Sequence, residues 1–84
     1  MGLQCTFHAP QGAEFLGWRV SRAGRTEIVY EDGAAHRQVL RLTVAAPDER
    51  LVEAMQLAVL SGHVMPRLLD ELKKRAIAVE NGSL

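Results

Sequence analysis

The sequence predicts an α+β fold in two layers: a four-stranded antiparallel β-meander, then a C-terminal helical hairpin packed on one sheet face, in the order ββββαα. Three observations carry this. Apolar residues alternate with period two up to Ala45 and follow a 3.6-residue period after Pro47. Turn residues punctuate the first half at short intervals. The candidate strands also pair in a register that sets apolar against apolar and acid against base.

The first strand is expected over residues 3–8, with Leu3, Cys5 and Phe7 on one face, and Ala9-Pro10-Gln11-Gly12 follows as a turn. The second spans about 15–21, where Leu16, Trp18 and Val20 alternate with Gly17, Arg19 and Ser21. Arg22-Ala23-Gly24 suits a three-residue hairpin loop with Gly24 left-handed. The third strand, about 26–31, carries Ile28 and Tyr30 on one face and Glu27, Val29 and Glu31 on the other. Past the Asp32-Gly33 turn signal, the fourth runs over about 37–45 with Leu40, Leu42 and Val44 inward.

These loops imply a register. The first hairpin sets Val20 opposite Thr26, Trp18 opposite Ile28, Leu16 opposite Tyr30 and Arg19 opposite Glu27. A five-residue loop, 32–36, sets Ile28 against Leu40, Val29 against Val39, Glu27 against Arg41 and Glu31 against Arg37. Glu27 therefore falls between Arg19 and Arg41 on an outer, exposed face. On the inner face Trp18 becomes the expected centre of the core, flanked by Leu16, Val20, Ile28, Leu40, Leu42, Leu69 and Leu72.

Pro47 suits the first turn of a helix over about 47–61, with Asp48 and Glu49 at the positive end of its dipole and Ser61-Gly62 as its stop. A second helix is expected over about 65–81, with a stripe of Leu69, Leu72, Ala76 and Val79 and an end at Asn81-Gly82. On its exposed side Asp70 precedes Lys74, and Glu71 precedes Arg75, by four residues.

With 84 residues the chain is expected to be a single domain, 1–84. Ten basic and ten acidic residues give no net charge, which argues against a polycation or an acidic tail. An apolar fraction of 48% is too high for a disordered chain. The single cysteine, Cys5, cannot form an internal disulfide, and the apolar run 54–60 is interrupted by Gln56 and too short to cross a bilayer. A cytoplasmic location with no membrane partner is the expectation.

The residues do not assemble a reaction centre. His8, His36 and His63 are spread along the chain without a second ligand at metal spacing, so no metal site is expected. No nucleophile elbow and no glycine-rich phosphate loop occurs, and each acidic pair is explained by a turn or a helix, so neither catalytic residues nor a cofactor are expected. Two features remain. Arg19, Arg22, Arg25, Arg37 and Arg41 lie in the sheet region, where they suggest a nucleic-acid contact. The helical pair offers a second such route through Lys73, Lys74 and Arg75, although Asp70 and Glu71 oppose it. The other feature is an apolar excess: Leu57-Ala58-Val59-Leu60 makes a helix end apolar on all sides. Leu57, Leu60, Val64 and Met65 are the candidate protein interface. The expectation is a small non-catalytic protein-interaction module (a regulator, adaptor or inhibitor) acting as a homodimer or on another protein. Nucleic-acid binding is the alternative.

Overall fold

A computed structural model describes residues 11–45 and 48–83. The fold is α+β, and among the described residues it has four antiparallel strands in one sheet and two helices packed on one of its faces. The strands are β1 (Glu14–Val20), β2 (Arg25–Glu31), β3 (Arg37–Ala45) and β4 (Val79–Ser83), and the helices α1 (Glu49–Ser61) and α2 (Val64–Lys74) lie between β3 and β4 in the chain. The order along the described residues is therefore βββααβ. The expected strand over 3–8 lies outside them. The sheet order is β1-β2-β3-β4.

The expected register holds for seven of the eight pairs named above, including Trp18 with Ile28, Glu27 with Arg41 and Glu31 with Arg37. The exception is Leu16. A bulge between Phe15 and Gly17 puts Phe15, not Leu16, opposite Tyr30. The bulge takes up the extra residue and turns Leu16 out of the alternation. Gly24 adopts the left-handed conformation (φ 81°) that the first loop requires. In the second loop Asp32 accepts bonds from the backbone N–H of Ala34 and of His36.

Asp48 caps α1 by accepting from the N–H groups of Arg50 (2.9 Å) and Leu51, and Gly62 closes it in the left-handed conformation. The second helix is much shorter than its pattern suggests. It stops at Lys74, and Ala76 (φ 55°) reverses the chain. Ala76 N–H bonds to the Lys73 carbonyl, Ile77 N–H bonds to the Leu72 carbonyl, and Ile77 and Leu72 are both buried. This is a Schellman ending with alanine where glycine is usual. The residues expected as a last helical turn instead form β4, where Val79 pairs with Leu42 and Asn81 with Leu40.

The core joins Ile28, Tyr30, Leu40 and Leu42 of the sheet to Leu51, Ala54 and Ala58 of α1 and Met65, Leu68 and Leu72 of α2. Leu69 is only half-buried; Leu68 takes the central place on α2. Trp18 is not the centre of this core. It is 53% exposed, and Leu16 and Val20 are exposed with it. The reason is positional: among the described residues β1 is an edge strand, and the buried cluster under the helices is built from β2, β3 and β4.

Candidate interaction surface

At its start β1 is partly covered, because Ala13 and Phe15 pack on the core, and with Glu14 they line a shallow cleft against Gly62–Pro66. Towards its end the cover is lost. Trp18 faces α1 across an open groove of about 590 Å³ walled by Leu51, Val52, Met55, Val59 and Leu60, with Asp48 and Gln56 as its polar members. The groove follows from the spacing of α1. Leu51, Ala54 and Ala58 form the stripe buried in the core, and Val52, Met55 and Val59 repeat the same spacing one residue on, rotated towards Trp18. Leu60 projects from the end of the helix and is 83% exposed.

The four residues expected to form a protein interface are therefore divided. Met65 is buried in the core, Val64 and Leu57 are half-buried, and Leu60 alone is exposed. Sequence reasoning missed Trp18, Val52 and Val59 as partners of Leu60. Val52 and Val59, seven residues apart on one helix, were a legible second stripe.

On the opposite sheet face the arginines meet acids. Glu27 is buried, and its two carboxylate oxygens accept bonds from Arg19 Nε at 2.8 Å and Arg41 Nε at 3.1 Å. The ladder the register implies is present, but its central acid is inside rather than exposed. Both arginines hold the Glu27 carboxyl below its ordinary range against the opposing effect of burial, the Arg19 bond being the strongest influence. Across the sheet Arg41 pairs with Glu80, so the row alternates in sign from β1 to β4. Arg22, Arg25 and Arg37 are exposed and make no ion pair among the described residues. They do not form one patch: Arg22 and Arg25 flank the first hairpin loop, and Arg37 opens β3 opposite Glu31 at the far end of β2, about 20 Å away at the rise of a strand.

A second ionic group ties the helices together. Glu71, expected on the exposed side of α2, is buried and bonded to Arg67 (2.8 Å) and Arg75, and Arg75 reaches Glu53 of α1 at 2.7 Å. The bond from Arg75 chiefly, helped by Arg67, holds the Glu71 carboxyl below its ordinary range. Asp70 pairs with Lys74 at 3.2 Å, as the spacing predicts. These acids are consumed by structural pairings. His36 and His63 are exposed, and no cluster of three metal-binding side chains occurs among the described residues. No helix among them is long and apolar enough to cross a membrane. Compared with protein families, curated proteins and solved structures, the chain matches none.

Proposed function

We propose that this chain is a small non-catalytic protein-interaction module that works by presenting the Trp18–α1 groove, and that it acts as a homodimer. One observation carries the reading: Trp18, Val52, Val59 and Leu60, which line the groove, are all exposed. They present on the order of 450 Å² of apolar surface, within the roughly 300–600 Å² of the largest patch on a monomer, which is often functional. Tryptophan is also the residue type most enriched at binding hot spots.

Light scattering over a concentration series reaching tens of micromolar tests this. The expected result is a concentration-dependent dimer that Leu60→Asp abolishes while the circular dichroism spectrum is unchanged. A strict monomer throughout overturns it. The nucleic-acid reading has less support, because Glu27 engages Arg19 and Arg41 together and the remaining arginines are split between two ends of the sheet. Oligonucleotide binding at low salt that Arg22→Ala and Arg37→Ala both weaken would restore it.

A further inference from the structure

We infer that the occupant of the groove is the α1 helix of a second copy, packed antiparallel about a two-fold axis beside Gln56. The inference rests on the interaction reading above and specifies its geometry.

A two-fold interface uses one patch twice, so the patch must carry both a projection and its receptor. α1 carries both. Leu60 is the most exposed of the large apolar side chains, and Val52, two turns earlier, lines the groove beside Trp18. Gln56 lies midway between them and is exposed. Antiparallel packing centred on Gln56 sets Leu60 of each copy against Val52 and the open groove of the other. It also sets the two Gln56 side chains together. A primary amide both donates and accepts, so this is the polar residue that can satisfy its own image.

Charge selects the direction. The first half of α1 is net acidic, with Asp48, Glu49 and Glu53 against Arg50, although Asp48 is paired with Arg50 and Glu53 with Arg75, and from Ala54 to Ser61 the helix carries no charge. Parallel packing would set the acids against their own copies. Antiparallel packing sets each acidic half against an uncharged one and opposes the two helix dipoles favourably. The groove residues Trp18, Val52, Val59 and Leu60 supply on the order of 450 Å² of exposed apolar surface, more than half of the roughly 800 Å² that each partner contributes to a standard interface.

Cysteine cross-linking in a Cys5→Ser background tests the axis. Side chains on the axis of two crossing helices come within disulfide reach, so Gln56→Cys should oxidise to a covalent dimer. Glu49→Cys lies seven residues from the axis in each copy, about 20 Å from its mate at 1.5 Å per residue, and should form that dimer at least tenfold more slowly. Mixing Val52→Cys with Leu60→Cys should give the heterodimer faster than either gives a homodimer. A dimer seen by light scattering in which Gln56→Cys reacts no faster than Glu49→Cys overturns the two-fold while leaving the interaction module standing. A strict monomer overturns both. So does a monomer whose Trp18 emission is already blue-shifted, since the groove would then be covered from within its own chain.

Discussion

Tyr30 of β2 donates its phenolic hydrogen bond to Asn81 Oδ1 of β4 at 2.5 Å, across the intervening strand β3. The two residues are 51 positions apart, so this bond locks the returning C-terminal strand onto the centre of the sheet. Asn81→Ala should cost about 1 kcal/mol in chemical denaturation, the net worth of one such bond.

The same phenol supplies a pH prediction. Burial is the main influence raising the Tyr30 pKa above its ordinary value, with the nearby charge of Asp32 adding to it and the Asn81 bond opposing it. A group whose folded pKa is raised contributes its stability below the unfolded pKa and loses it as pH rises through the folded value. As the chain's one tyrosine, it can be followed by absorbance. Its ionisation should begin above the free-tyrosine range and accompany alkaline unfolding, and Tyr30→Phe should remove part of that alkaline sensitivity.

At the acid end, Glu27 sets the sign. Its carboxyl is held low by Arg19 and Arg41, so its contribution is complete above the ordinary glutamate range and is lost as pH falls through the lower folded value. Glu27→Ala leaves two guanidinium groups without their shared acceptor and should cost about 2 kcal/mol, within the range for bonds to charged groups. Urea midpoints measured at neutral pH and near pH 3 should differ less in Glu27→Gln than in the parent.

The charge ladder was legible because a period-two pattern and short loops leave few registers, and a wrong one would have set like charges together. Trp18 was misplaced by the same logic. Alternation says which face a residue occupies, but not whether that part of the face is covered, and cover depends on where the helices lie over the sheet. The Phe15–Gly17 bulge escaped because nothing in Phe15-Leu16-Gly17 distinguishes a bulge from plain alternation. The end of α2 escaped because its stop signal is an alanine. Leu69, Leu72, Ala76 and Val79 fit a helical stripe by spacing alone, while Val79 belongs to a strand.

That alanine is a site for stabilisation. Ala76 is exposed and holds φ at 55°, where a Cβ is unfavourable and glycine is not. Ala76→Gly should raise stability by about 0.5–1 kcal/mol, seen as a higher thermal midpoint, with the fold unchanged. A loss of stability would mean that the alanine methyl packs usefully at the helix end.

Thr26 offers a second gain by a different mechanism. Its residue is fully buried, and among the described residues its hydroxyl has no hydrogen-bond partner. A buried donor left without a partner costs about 1–3 kcal/mol of desolvation, which an isosteric methyl does not incur. Thr26→Val should therefore stabilise the protein by about 1 kcal/mol. Thr26→Ser, which keeps the hydroxyl and removes the methyl, should destabilise it.

Trp18 separates the edge-strand placement from a core placement. A tryptophan at the centre of a core costs about 3–5 kcal/mol when cut back to alanine. Here the ring lines one side of the groove, facing α1, and is half open to water. Trp18→Ala should cost about 1–2 kcal/mol in dilute solution, well below Leu42→Ala, whose side chain is fully buried in the central sheet. Because the chain has a single tryptophan, its emission reports on this site alone. Emission should be red-shifted at the lowest concentrations and move to the blue as the protein associates, with a midpoint matching that of light scattering. Leu60→Asp should hold the emission red at every concentration. Blue emission in the dilute Leu60→Asp protein would place the ring in a covered site of its own chain and remove the groove from the surface.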